Sequence, residues 1–267
     1  MPSPNKSPLR YPGGKTRACS ALTEILEQHF DMTQYKTIAS PFFGGGSFEF
    51  HLQGITKKPL IVNDKFAPLY RFWKQVQDDC PALCAALRVI LGKGVTKADF
   101  AKFRETIIST GLSQLETATL YFVINRCSFS GATLSGGFSE EASKKRFTES
   151  SIKRISELDM TNITIKNQDF TEFLDSVTET TFIFLDPPYY LETSKLYGNN
   201  GDMHESFDHQ ALFNAITKKS GWMMTYNNCH YIRDLYKDYT IIETSWSYGM
   251  NASKESSEIV ILCKKNI

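Results

Sequence analysis

The sequence predicts an α/β protein: a mostly parallel sheet closed by an antiparallel hairpin, with a helical and hairpin module inserted partway along. Three observations predict it. Short apolar runs alternate with longer helical patterns, the signature of βαβ units. The run Thr181-Phe182-Ile183-Phe184-Leu185 is stopped by Pro187 and Pro188, as a buried strand is when it must end. The last two apolar runs stand too close together for a helix to separate them, so they pair as a hairpin.

Taken in order, Pro2-Ser3-Pro4-Asn5-Lys6-Ser7-Pro8 is an irregular lead-in, and Leu9 to Arg17 form a glycine turn feeding a helix over Ala18–Phe30. Strands follow over Thr37–Phe43 and Leu60–Asn63, each with a helix behind it, the second running over Ala67–Leu91. From Gly92 to Thr148 the rhythm changes. Helices are predicted over Lys97–Thr110 and Glu116–Asn125. They lead into Ser128 to Ser139, a small, polar, glycine-rich stretch that reads as an exposed loop or hairpin. Strands resume over Ile163–Lys166, Thr181–Leu185 and Trp222–Tyr226, then over Thr240–Ser245 and Glu258–Cys263. The break divides the chain into a main domain, 1–91 with 149–267, and an insert, 92–148.

At 267 residues, 41% hydrophobic and 22% charged, the chain has the composition of a soluble globular protein with a substantial core. No stretch approaches 18 apolar residues and the start lacks an apolar h-region, so neither a membrane span nor a secretory signal is expected. Six cysteines without a C-x-x-C pair read as reduced thiols, hence a cytoplasmic setting. A net charge of +1 leaves no global footprint for nucleic acid. Locally, though, Lys6, Arg10, Lys15 and Arg17 precede the first acid, Glu24, and Lys144-Lys145-Arg146 form a second cluster. Either could meet phosphates, although plain surface charge is the simpler reading of the second.

Asp186-Pro187-Pro188-Tyr189 is the most informative motif. It makes a stiff loop at a strand's carboxyl end, where open α/β sheets bind ligands. It offers a carboxylate, a carbonyl held by prolines and an aromatic face, which suit an exocyclic amine on a flat base. Pro41-Phe42-Phe43-Gly44-Gly45-Gly46-Ser47 follows a strand and opens a helix, and glycines there let backbone N–H groups approach a ligand. Asp64 lies 18 residues beyond Gly46, the spacing of an acid that grips ribose hydroxyls. The pattern is not G-x-G-x-x-G, which favours a nucleoside over a pyrophosphate cofactor. Gly13-Gly14-Lys15-Thr16 is not a P-loop, since Leu9 occupies the place of its first glycine. Asp169-Phe170 follows a strand and is either a third cleft acid or a helix cap. The five histidines show no metal-ligand spacing and no nucleophile elbow appears, so no metal is expected.

In this order the motifs resemble the Dam-type (alpha-class) DNA adenine-N6 methyltransferases, over Arg10 to about Leu262. The resemblance rests on Tyr11-Pro12-Gly13-Gly14-Lys15, the Pro41–Ser47 loop, Asp186-Pro187-Pro188-Tyr189 and Lys254-Glu255-Ser256-Ser257-Glu258-Ile259. It implies a Rossmann-like methyltransferase sheet, S-adenosyl-L-methionine as donor and double-stranded DNA as partner. It implies a site in which Asp186, Pro187 and Tyr189 are catalytic. Tyr11, Lys15, Phe42, Gly44, Gly46, Asp64, Asp169, Phe170 and Asp186 would hold the donor, with Phe170 on its adenine and Asp64 on its ribose. Arg10, Asn125, Arg126, Phe129, Ser130 and Leu134 would fall on the DNA side, in an insert that carries recognition. The target base would have to flip out of the duplex. Leu134 stands near the place of a guanine-reading arginine, so the family's GATC site is not carried over. Ser40 stands where an acid often precedes the Pro-Phe. Rival readings are the same fold acting on RNA adenine, cytosine N4 or a glutamine amide, a non-catalytic DNA-binding relative, and a nucleotide-dependent oxidoreductase. Oligomeric state is not set by the sequence.

Overall fold

The computed structural model describes residues 5–190, 207–246 and 256–265. Pro2-Ser3-Pro4, His204 and Lys254-Glu255 lie outside them. One seven-stranded sheet organises the chain, in the order β3-β2-β1-β4-β5-β7-β6. Strands β1 (Thr37–Ser40), β2 (Leu60–Asn63), β3 (Ile163–Lys166), β4 (Thr181–Leu185) and β5 (Trp222–Asn227) run parallel. β6 (Tyr239–Trp246) and β7 (Ser256–Lys265) form the closing hairpin, with β7 antiparallel between β5 and β6. The mostly parallel sheet and its terminal hairpin are those the sequence predicts.

Side chains alternate along each strand, and in the central strands β1, β4 and β5 both faces are buried, which is why these read as nearly unbroken apolar runs. Ile38, Phe182 and Phe184 face a core shared with helices α1 (Cys19–His29), α2 (Ser47–Thr56) and α3 (Ala67–Lys93). The insert adds α4 (Lys97–Ile107), α5 (Gln114–Cys127) and α6 (Glu140–Lys145), followed by α7 (Glu149–Ser156). Ala39, Ile183 and Leu185 face the opposite core, with α8 (Phe170–Asp175), α9 (His209–Ile216) and α10 (His230–Leu235). Among the described residues no helix is long and apolar enough to cross a membrane.

Three sequence expectations are corrected. β1 stops at Ser40 rather than Phe43, because Pro41 has no N–H for the ladder and the Phe43 N–H bonds the Asn63 carbonyl instead. The long helix is broken at Asp79 (φ −155°), two residues before Pro81, and the Asp79 carboxylate caps the second half through the Ala82 N–H at 3.0 Å. The stretch from Ser128 to Ser139 closes as a hairpin, one of its two readings, but it is not an exposed one. Gly131, Thr133 and Leu134 are buried, and Ser128 bridges Phe138. Gly131 (φ 73°) sits so close to Arg10 that a Cβ would lie 2.5 Å from the Arg10 Cβ, so only glycine lets the loop close there.

The insert also shares its core with the main domain. Phe122 on α5 stacks on Phe72 of α3, centroids 5.7 Å apart, and the neighbouring Trp73 donates its indole N–H to the Gly44 carbonyl at 3.0 Å. Insert and glycine loop are thus joined through one helix.

Candidate active site

Strand order reverses between β1 and β4, and at the carboxyl ends of this pair a cleft of about 370 Å³ opens. That is the topological switch point at which doubly wound sheets bind ligands. The loop after β1 brings the glycines and the loop after β4 brings Asp186. Tyr11, Lys15, Phe42, Gly44, Gly46, Asp64, Asp169, Phe170 and Asp186 all line this one cleft, as do Pro187 and Tyr189.

The glycines are sterically required. Gly44 (φ 50°) lies under the Tyr11 ring, where a Cβ would fall 2.9 Å from Tyr11 Cε1. Gly46 (φ 68°) starts α2 in the left-handed region, and a Cβ there would meet the Phe43 ring at 2.6 Å. Asp64 ties the loop to β2, its carboxylate accepting the Gly44 N–H at 2.9 Å and the Phe66 N–H at 2.9 Å. Burial pushes its carboxyl up to about 6, against the pull of those two N–H groups. Asp169 caps α8 through the Thr171 N–H at 3.1 Å, and also meets Lys65 Nζ at 2.9 Å. It is therefore both the helix cap and the cleft acid that the sequence left open. Burial acts to raise it, but Lys65 and Thr171 outweigh that and hold it below the usual range. Phe42, Phe170 and Phe207 form a three-ring cluster, with centroids 5.7, 5.5 and 5.4 Å apart. Phe207 was not foreseen, because it belongs to no motif.

At the other end of the cleft the Asp186 carboxylate is held from two sides. Thr225 Oγ1 donates to Oδ1 at 2.7 Å, and the ammonium of Lys15, only 3% exposed, lies 2.7 Å from Oδ1 and 2.8 Å from Oδ2. Lys15 also donates to the Gly13 carbonyl and to Tyr189 Oη, each at 2.9 Å. Tyr189 in turn donates to Glu258 Oε1 on β7 at 2.7 Å. The sequence expected Lys15 on the donor; the structure puts its charge on the acid of the Asp-Pro-Pro-Tyr corner. Thr225 was not singled out, and Glu258 was read only as part of the closing motif with no role at this corner, since only the fold brings β5 and β7 beside β4. Ser40, where an acid was expected, donates its hydroxyl to Glu49 Oε1 at 2.8 Å, so a carboxyl reaches that spot from α2 instead.

The residues expected to face DNA divide. Phe129 projects at the loop tip, 69% exposed, with Ser130 (φ 57°) beside it. Asn125, fully buried, accepts the Arg10 N–H at 3.0 Å and donates to the Arg10 carbonyl at 2.6 Å, which fastens the N-terminal segment to α5. Leu134 is buried, and its carbonyl accepts from Arg104. Arg126 is buried and donates to the carbonyls of Arg146, at 2.7 Å, and Pro8, at 3.1 Å. The expectation of DNA-facing side chains is corrected for Asn125, Arg126 and Leu134: their side chains point inward because the loop folds back on α5. Burial lowers the Arg126 guanidinium to about 10, and Arg10, Arg154 and Arg146 add to the shift. Arg146 and Arg154 are exposed, so they carry this concentration of positive charge to the surface. Lys144 and Lys145 pair with Glu140 and Glu141 one turn back, an ordinary solvated face.

Among the described residues no group of three or more His, Cys, Asp or Glu side chains could hold a metal ion. Residues 11–250 match the family described as D12 class N6 adenine-specific DNA methyltransferase. A curated relative, the Type II methyltransferase M.MjaIII of Methanocaldococcus jannaschii, is 25% identical over 197 residues, covering 68% of this chain and 68% of its own.

Proposed function

The chain belongs to the D12 class of N6 adenine-specific DNA methyltransferases, and on that premise we propose that S-adenosyl-L-methionine is its methyl donor and a flipped adenine of duplex DNA its acceptor. The observation that carries this reading is the single cleft in which the glycine loop, two acids and three phenylalanine rings adjoin the Asp186 corner. The lining fits the donor. Phe42, Phe170 and Phe207 offer a slot for its adenine, Asp64 and Asp169 acceptors for ribose hydroxyls, and about 370 Å³ is within the range of small-molecule sites. When bound, the donor supplies an electrophilic methyl group on a sulfonium.

The chain's own residues do the rest. The lone pair of an adenine amine is delocalised into its ring, so the nitrogen is a weak nucleophile. Asp186 and the Pro187 carbonyl accept its two N–H bonds, which favours a tetrahedral nitrogen and frees the lone pair. Lys15 and Thr225 hold the Asp186 carboxylate in place from two sides, which is preorganisation of the electrostatic kind. Tyr189, anchored by Glu258, gives the flipped ring a face to stack on. The insert, 92–148, carries recognition: Phe129 at its tip enters the base stack, and Arg146, together with Arg154 on the adjoining α7, meets phosphates. The relative's Type II character makes a restriction–modification setting the natural one for this chain too.

Titration with S-adenosylmethionine and with NAD tests the donor. Saturable binding of the first alone is expected; binding of NAD alone would overturn the reading. On the DNA side, Arg154→Ala is expected to reduce the slope of log affinity against log salt by about 1. An unchanged slope would remove Arg154 from the phosphate contacts.

A further inference from the structure

Among the described residues, Glu49 and Asp208 are the cleft acids that the reaction leaves without a task, and Asp208 already caps α9 through the Ala211 N–H at 2.8 Å. Glu49 stands in the first turn of α2, beginning after Gly46, yet its side chain turns inward beneath the glycine loop and is 3% exposed. One carboxyl oxygen takes the Ser40 hydroxyl at 2.8 Å, and the residue lines the same cleft as the glycine loop and Asp186. Among the described residues no ion pair holds it. The charged and titratable groups facing it are Lys15, Asp186 and the Cys19 thiol of α1. The Lys15 ammonium lies within 2.8 Å of both Asp186 oxygens. A buried carboxyl with no cation of its own, aimed into a ligand cleft, is costly to ionise unless the ligand brings the positive charge.

We propose that Glu49 receives the α-ammonium of the bound methyl donor and thereby fixes the position of its amino-acid end. This rests on S-adenosylmethionine being the donor. The other cleft acids are already engaged: Asp64 by the Gly44 and Phe66 N–H groups, Asp169 by Lys65 and Thr171, Asp186 by Lys15 and Thr225, and Asp208 as the cap of α9. The α-ammonium has three N–H bonds and needs buried acceptors, and Glu49 provides one already fixed by Ser40 and by the helix.

Before the donor binds, burial favours the protonated Glu49 carboxyl, pushing its value up to about 8 with further support from Asp186, although its own backbone N–H, Ser40 and Lys15 pull the other way. Pairing with a cation ionises it, so donor binding near pH 7 releases a proton from this group.

The test compares wild type with Glu49→Gln, a substitution that keeps the shape and the Ser40 hydrogen bond, by calorimetric titration with S-adenosylmethionine and with methylthioadenosine, which lacks the amino-acid end. Glu49→Gln is expected to weaken S-adenosylmethionine by about 10- to 100-fold and to leave methylthioadenosine unchanged. In buffers of different ionisation enthalpy, the wild type should release close to one proton more than the variant, a difference that cancels the ligand's own titration. Equal affinities for S-adenosylmethionine, or equal losses for both ligands, would overturn the proposal. If wild type binds no S-adenosylmethionine, the donor reading itself fails, and the two failures are therefore distinct.

Discussion

Asp186→Ala is expected to lower methyl transfer by at least about 10³-fold while leaving donor affinity within a few-fold, the pattern of an interaction made in the transition state. The carboxylate is one of the two acceptors that turn a flat amine into a nucleophile, and the residues that hold it cannot take its place. Thr225 and Lys15, which hold it, are both donors in that arrangement. The variant takes the carboxylate from a buried ammonium whose other contacts include the Gly13 carbonyl and Tyr189 Oη. Breaking a buried pair costs about 3–5 kcal/mol, but Asp186 is 24% exposed, so a smaller loss of about 1–3 kcal/mol is expected on denaturation. Asp186→Asn separates the two effects, since it keeps the shape of the corner while removing an acceptor and the charge. Near-normal transfer by Asp186→Ala would contradict the mechanism.

Gly46→Ala is expected to weaken donor binding by about 100-fold or more and to destabilise the fold. At φ 68° a side chain costs about 1–2 kcal/mol in backbone strain alone. The new Cβ would also lie 2.6 Å from the Phe43 ring, which packs against Trp73 and Phe50 and cannot yield without moving them. Since Trp73 holds the Gly44 carbonyl, displacement spreads along the loop. Gly92→Ala is the control: nothing lies within 4 Å of a Cβ there, and the position is inside a helix. It should leave binding unchanged and stabilise slightly, by about 0.5–1 kcal/mol. Unchanged donor affinity in Gly46→Ala would mean that this loop does not shape the donor site.

Much of this architecture was legible in the sequence because its signals are local. Proline stops, glycine turns and the spacing from Gly46 to Asp64 fix where strands end and which side chains stand there. Placing those ends on a doubly wound sheet then gathers them at one switch point. What was not legible depends on pairing across the sheet or on packing of the insert. Thr225 and Glu258 reach the Asp-Pro-Pro-Tyr corner only because β5 and β7 line up beside β4. Lys15 could be placed near the cleft, but its contact with Asp186 joins positions 171 residues apart. The stretch from Ser128 to Ser139 has the composition of a surface loop, yet Asn125 and Gly131 seat it against Arg10, so only Phe129 and Gly137 are exposed. Glu49 was hidden for a simpler reason: an acid in the first turn of a helix is ordinarily a dipole partner at the surface.

The most direct measurement incubates the protein with labelled S-adenosylmethionine and a mixed-sequence duplex library, then maps the modified base and its context. The account predicts label on adenine N6 alone, within a restricted set of neighbouring bases, and none when Asp186 is alanine. Label on cytosine N4, or label that persists in the Asp186→Ala protein, would contradict it.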